Sequence, residues 1–359
     1  MQQIEIYHSK YDSVSRLITG FHLLEQAKQA KCIFIENVNN SAGLPSSEVV
    51  EVRTEGKRIA FDMGDRSMLN HQSGILYLEG VDMYFERSHD PDLVNTLPLN
   101  LRHKVRPFGF NYYTTFPGNP AENSPKTVAE KLKYATRVIS GYQRCMHVDA
   151  FEKKAEYKES NLNIIFMARL WDPHEIVLDK NLPREVLEYR KYMIEERNII
   201  NRDRIEIIRT LKQEFPDAFT GGIQDSAYAA TQCPDIILPR SLTRKRVYIR
   251  AMQNADICIG STGLHRSIGW KTGEYVASSR AIIAERLQYV VPGGFEEGKN
   301  YIPFDNAQEC IDAVHRLSND PEAVYQMKLA NELYYSQYLR PEQQIINAMN
   351  QCDLIYFPI

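Results

Sequence analysis

The chain has 359 residues, 43% hydrophobic and 25% charged, with a formal net charge of −3. That length exceeds what one hydrophobic core usually organises, so two domains are expected, and the near-neutral balance gives no electrostatic case for nucleic acid or a bulk membrane surface. No apolar run reaches the roughly 18 residues of a membrane span, MQQIEIYHSKYDS lacks a secretory pattern, and the six cysteines stand apart without metal spacing, so a cytoplasmic protein with reduced thiols is expected.

In chain order, Ile4 to Tyr7 reads as a short strand, Val14 to Lys28 as a helix with Val14, Leu17, Ile18, Phe21 and Leu24 at helical spacing, and Cys32 to Glu36 as a strand. Further strands are expected at Val49 to Val52, Arg58 to Asp62, Ile75 to Leu78 and Met83 to Phe85. A Pro/Asn/Gly-rich loop, Phe116 to Pro125, precedes a helix from Thr127 to Met146, and the polar run FEKKAEYKES from Phe151 reads as a connection between domains. The alternation then restarts. Asn163 to Ala168 is a fully apolar strand ending at Arg169, and Leu182 to Phe215 reads as two helices, with Asn201 or Asp203 capping the later one. A strand Asp235 to Leu238, a helix Arg244 to Asn254 and a strand Asp256 to Ile259 follow, and helices Ala307 to Leu317, Pro321 to Tyr338 and Pro341 to Asn350 close the chain. Strand-helix pairs of this length imply a parallel sheet with ligands at the strands' carboxyl ends.

The stretch from Ser261 to Glu285, STGLHRSIGWKTGEYVASSRAIIAE, sits directly behind the strand Asp256 to Ile259. It reads as a Gly/Ser/Thr loop carrying Arg266 and Lys271, a helix opening near Thr272 with Glu274 in its first turn, and an apolar strand Ala281 to Ala284. Such a unit suits a phosphorylated ligand: glycines admit the backbone, helix N–H groups meet the anion and the two cations neutralise it. A carboxylate one turn in would repel phosphate, so Glu274 is expected to accept hydrogen bonds from a ribose or sugar hydroxyl. The bland alternatives are solvated loop cations for Arg266 and Lys271 and an ordinary first-turn acid for Glu274.

The run GWKTGEYVASSRAIIAERLQYVVPGGFEEGKNYIPFDNAQECIDAVHRLSNDPEAVYQMKLAN resembles the carboxyl-terminal domain of GT-B glycosyltransferases of the group-1 type, with relatives among spore-coat and polysaccharide transferases. The matching features are Glu274, Ala281, Gly293-Gly294, the Asn300 to Phe304 strand, the acidic helix start Asn306 to Glu309 and the turn Asp320 to Glu322; the chain departs at Ser278-Ser279-Arg280, where many relatives have a glycine-containing turn. The resemblance covers about residues 161 to 340 and implies an α/β, GT-B fold of two Rossmann-like domains facing across a cleft. The expected division is residues 1–155 for an acceptor domain, 156–338 for a nucleotide-sugar domain and 339–359 for a helix returning to the first domain, its apolar side formed by Ile345, Ile346, Met349, Cys352, Leu354 and Ile355.

The resemblance further implies a metal-independent, cofactor-free transfer of a sugar from a nucleotide-sugar donor to the hydroxyl of a glycan or lipid-linked acceptor, and it leaves peripheral membrane contact open. Ser261, Thr262, Gly263, Arg266, Lys271, Thr272, Gly273 and Glu274 form the expected donor site, with Arg169 at the end of the opening strand approaching the diphosphate. Arg266 and Lys271 would stabilise the leaving group's charge, and Asp65 is the preferred general base, with Glu86, His89 and His8 behind it. The cluster Arg240, Arg244, Lys245, Arg246 and Arg250 reads as solvent-facing, with a ligand role as the alternative, and Asp90-Pro91-Asp92 as a turn or helix start in place of a metal motif. Two other classes fit the same sequence: a sugar-nucleotide epimerase of GT-B shape and a non-catalytic two-domain ligand-binding module.

Overall fold

The computed structural model describes residues 2–122, 127–140 and 143–352. The expected positions Leu354 and Ile355 and parts of the Phe116–Pro125 loop lie outside them. In the first half, β1 (Gln2–His8), β2 (Ala30–Glu36), β3 (Val49–Thr54), β4 (Lys57–Asp62), β5 (Met83–Glu86) and β6 (Val105–Pro107) form one sheet in the order β2-β1-β3-β4-β5-β6. Strand β3 runs antiparallel to both neighbours, while the other pairs are parallel. This differs from an all-parallel Rossmann sheet for a local reason: β3 and β4 are joined through Glu55 and Gly56 at φ 48° and 75°, a two-residue hairpin turn that reverses the chain. Helices α1 (Ser15–Gln26), α2 (Gln72–Glu79), α3 (Pro91–Thr96), α4 (Leu99–Arg102), α5 (Val128–Ile139) and α6 (Val148–Phe151) complete this half. Ile75 to Leu78 is thus helical, in α2; its apolar residues are too few to specify a strand. Asp90 caps α3, its Oδ1 accepting from Asp92 N at 2.9 Å, so the Asp-Pro-Asp triplet is a helix start.

The second half contains β7 (Ile164–Ala168), β8 (Phe219–Gln224), β9 (Ile237–Leu238), β10 (Ile257–Gly260), β11 (Ala281–Glu285) and β12 (Ile302–Phe304), with α7 (Arg184–Glu214), α8 (Ala227–Gln232), α9 (Lys245–Asn254), α10 (Trp270–Ala277), α11 (Ala307–Ser318), α12 (Pro321–Tyr334) and α13 (Pro341–Asn350). Its strand order is β12-β11-β10-β7-β8-β9 with every pair parallel, the doubly wound Rossmann order with its reversal between β7 and β10. The two helices expected between Leu182 and Phe215 are one, of 31 residues. Asn201 does not cap it: buried in the middle, its side chain holds Trp171 from both sides, accepting from N at 2.9 Å and donating to O at 2.6 Å.

Ile164, Phe166, Ile257, Ile259 and Ile283 bury one face of the second sheet against α7 and α11; Ile165, Met167, Cys258 and Ile282 bury the other beneath α9, α10 and α12. Phe110, Tyr112 and Phe151 join that second cluster from the first half, Phe110 meeting Phe295 edge-on at 4.7 Å between ring centroids. The chain then crosses back. Ile345, Ile346, Ala348 and Met349 of α13 lie in the core of the first half with Ile6, Leu17, Ile18 and Phe21. Arg16 of α1, itself buried, donates to Phe110 O at 3.3 Å and also to Leu339 O and Gln344 Oε1.

Candidate functional site

The reversal between β7 and β10 opens a crevice where the connections leave to opposite faces of the sheet. A cavity of about 560 Å³ lies there, lined by Ala168 and Arg169 at the end of β7, Ser261 to Gly263 at the end of β10, Lys245 and Tyr248 of α9, and Trp270, Lys271 and Glu274 of α10. The first half contributes Asp12, Asp65 and Arg87, so the cavity lies where the halves meet. Its volume is in the range of small-molecule sites, roughly 300–1,000 Å³.

Helix α10 starts at Trp270, earlier than the sequence suggested, with Gly269 at its N-cap and no side chain capping it. Its first N–H groups are therefore left for solvent or a ligand. Gly269 fits because a Cβ there would stand 2.6 Å from Ser261 O, forcing the two ends of the loop apart. Glu274 sits in the second turn and is buried. Lys245 Nζ donates to its Oε1, and the buried hydroxyl of Tyr248 lies against the same carboxylate. The two groups face each other closely enough that, beside burial, the Glu274 carboxylate helps raise the Tyr248 hydroxyl, and a buried carboxylate with so few donors can take more from a ligand.

Lys271 and Lys245 flank the Tyr248 ring, with Nζ atoms 5.0 and 5.4 Å from its centroid. Lys271 also donates to Met167 O. Burial depresses the Lys271 ammonium from its ordinary 10.5 to about 7, against the partial support of Glu274. Arg169 stacks on Trp171, its guanidinium carbon 3.8 Å from the ring centroid. Arg204 of α7 ties the crevice together: it donates to Ser261 Oγ at 2.9 Å, Arg169 O at 2.6 Å and Thr262 O at 2.8 Å, and burial lowers it to about 10.

Arg266 is not brought to this cavity. The loop makes a 3₁₀ turn over Leu264–Arg266 with His265 and Arg266 at φ 60° and 53°, which carries the guanidinium out to a second cavity of about 310 Å³ behind Thr262 and Gly263. The expected pairing of Arg266 with Lys271 is replaced by Lys245 with Lys271. Of the candidate bases, Asp65 lines the first cavity; His8, Glu86 and His89 do not. Asp65 pairs with the buried Arg87, whose Nη2 donates across the junction to Ile268 O at 2.6 Å, and not with Arg66, which stacks over Tyr189. Thr272 and Gly273 are buried in α10 behind the lining residues, Gly273 close against Asn111 O. Arg87, Lys245, Tyr248 and Arg204 escaped sequence reading because nothing local marks them; the i,i+4 basic pattern on α9 concealed that Lys245 points inward. Among the described residues no three His, Cys, Asp or Glu side chains form a group able to hold a metal ion.

No family model matches the chain, and no curated protein does. Solved structures do resemble it at low identity. A Staphylococcus aureus MnaA–UDP complex is 14% identical with a TM-score of 0.44, covering 99% of this chain and 98% of its own. Anabaena Alr3699/HepE in complex with UDP and glucose is 10% identical with a TM-score of 0.43 over 98% and 100% of the two chains. The carboxyl-terminal domain of a group 1 family glycosyl transferase, LpcC from Francisella tularensis, is 14% identical with a TM-score of 0.34, covering 53% of this chain and 96% of its own. Two six-stranded α/β sheets meet at one cavity, the second is wound in Rossmann order, and the final helix is docked on the first half, which is the GT-B architecture.

Proposed function

We infer that the chain is a glycosyltransferase whose second half holds a nucleotide-sugar donor in the crevice between β7 and β10, with the acceptor approaching from the first half. The observation that carries this reading is the buried carboxylate of Glu274 on the cavity wall beside the cations Lys245 and Lys271 at the uncapped start of α10. In this reading Glu274 and the Tyr248 hydroxyl take the ribose or sugar hydroxyls, and the helix N–H groups with Lys271, Lys245 and Arg169 face the diphosphate. As the bond from the anomeric carbon to the diphosphate oxygen breaks, negative charge grows on that oxygen, and a cation fixed in a partly dry site stabilises it without reorganisation. Asp65 has one oxygen engaged by Arg87 and the other left to accept the acceptor's proton. None of these steps requires a bound metal.

The test is a thermal-shift screen with UDP, GDP, CMP and dTDP species, followed by product analysis with the nucleotide sugar that binds. Sugar appearing on an added acceptor supports the proposal. Interconversion of the nucleotide sugar without acceptor identifies an epimerase, and stabilisation by free sugar but by no nucleotide identifies a binding module.

A further inference from the structure

Helix α7 presents a mixed, largely polar face to the second cavity. Tyr192, Glu196, Ile199 and Asp203 recur at helical spacing and line that cavity, of about 310 Å³, together with Arg266 and residues at the ends of β11 and β12. All of its described lining residues belong to the second half of the chain. Thr262 and Gly263 line both cavities, so the backbone of one loop separates them.

Much of the charge here is engaged within the protein. Glu285 accepts from Thr262 N at 3.0 Å, Arg286 lies 3.2 Å from Asp305, and Asp203 accepts from Arg202 Nε at 3.0 Å. Two groups stand apart. Glu196 is only 8% exposed, and while its Oε1 accepts from the Tyr192 hydroxyl at 3.1 Å, its Oε2 has no hydrogen-bond partner. A buried carboxylate oxygen in that state is completed when a donor enters the cavity. Arg266, which the loop carries away from the first cavity, donates to Gln288 Oε1 at 3.5 Å and meets no carboxylate among the described residues.

The chemistry of these groups selects a ligand. An anion would meet Arg266 but also the carboxylates of Glu195, Glu196 and Asp203. A metal ion lacks its ligands, since no three His, Cys, Asp or Glu side chains among the described residues group to hold one. A simple ammonium would satisfy Glu196 but be opposed by Arg266. Sugar hydroxyls both donate and accept, so neighbouring ones can donate to Glu196 and accept from Arg266, while the half-exposed Tyr192 ring offers an apolar body to the C–H groups between them. The volume stands at the lower end of the roughly 300–1,000 Å³ of small-molecule sites, which suits one sugar ring and is too small for a nucleotide sugar.

We propose that the second cavity is a subsite for one neutral sugar unit, held by Glu196 and Arg266 and separate from the crevice between β7 and β10. The site is built from the second half alone, so it holds whether the first cavity transfers, epimerises or only binds a sugar nucleotide. The same chemistry serves an outer unit of a glycan acceptor and a free sugar.

The experiment is ligand-detected NMR titration of the full chain with glucose, galactose, mannose and N-acetylglucosamine, with glucuronate and glucosamine as charged controls. The expected result is saturable binding of at least one neutral sugar and none of glucuronate. Glu196→Gln should weaken that binding about tenfold and Arg266→Met about fivefold, while Glu274→Gln, in the first cavity, leaves it at the parent value. Arg266 is exposed, so its variant should melt with the parent and keeps the test decisive where Glu196→Gln unfolds early. In a transfer assay, competition between the bound sugar and the acceptor marks an outer acceptor unit, and a changed rate without competition marks a free sugar; both fit the subsite. Binding by none of the neutral sugars, binding by glucosamine alone, or binding unchanged in both second-cavity variants overturns the proposal. Loss of binding in Glu274→Gln also overturns it and places the sugar in the first cavity.

Discussion

Lys271 gives the sharpest test of the donor site, because its charge is set by whatever occupies the cavity. Burial brings it to about 7, so at pH 8 about nine-tenths of molecules carry a neutral amine and at pH 6 about one-tenth. A diphosphate in contact favours the ammonium, so binding should take up about 0.9 proton at pH 8 and about 0.1 at pH 6. By linkage, affinity should fall by about tenfold per pH unit above 7, until the pH reaches the raised value in the complex. Calorimetric titration with the nucleotide sugar at pH 8, in two buffers of different ionisation enthalpy, reads the proton count directly. The diphosphate diester does not titrate there, so the protons belong to the protein. Lys271→Met should remove both the uptake and the slope. A proton count near zero at pH 8, or one unchanged in Lys271→Met, refutes the placement of Lys271 against the diphosphate.

The same shift predicts a stability effect. The folded value lies below the ordinary 10.5, so the contribution of Lys271 is intact above that pH and is lost as pH falls towards 7; Lys271→Met should therefore melt higher than the parent at pH 7, with the gap closing above pH 10.5. Glu274→Gln should weaken nucleotide-sugar binding by about tenfold while the fold survives, and unchanged affinity in calorimetry would remove Glu274 from the site. Gly269→Ala, whose Cβ would meet Ser261 O at 2.6 Å, should abolish nucleotide-induced stabilisation while circular dichroism stays that of the parent. Arg204→Met leaves three acceptors at the crevice without their donor and should destabilise the chain by about 2–4 kcal/mol in urea titration. Ile345→Ala, fully buried among α1 residues, should cost about 2–5 kcal/mol.

What could be read from the sequence follows from what is local. The apolar runs of β7, β10 and β11 and the periodic faces of α1, α9 and α11 announce themselves because each needs no more than its own spacing. Strand β8, FTGGIQ, did not, since two glycines replace the β-branched residues that mark a strand. The structure supplies the reason: a Cβ on Gly221 would lie 2.3 Å from Phe166 O, so the position requires a bare backbone against β7. The turn after α10 has no glycine, yet Ser279 takes φ 52° in its place, held between Ser278, which donates to Phe151 O, and the buried Arg280, which donates to Ser278 O at 2.6 Å and Ala255 O at 2.9 Å. In the cavity lining, Lys271, Glu274, Ser261 to Gly263 and Asp65 were legible because a loop between strand and helix marks a ligand position, and Arg169 through the family resemblance. Arg87, Lys245 and Arg204 reach the cavity from distant segments, and Arg266 leaves it through a φ reversal that composition does not encode.

The buried guanidinium of Arg16 has a consequence for how the molecule moves. It binds α1 to Phe110, Leu339 and the Gln344 side chain at once, so drawing the chain after Tyr338 away from α1 would leave a buried cation without two of its three acceptors. That seam is therefore costly to part. Nearer the cavity, Arg87 to Ile268 O and Val290 N to His89 O are single bonds across the junction. Other contacts cross there too, Arg66 over Tyr189, Phe110 edge-on to Phe295 and Ser278 Oγ to Phe151 O, so the cavity's two walls are held at a fixed spacing by several independent ties and a ligand between them meets a preset gap.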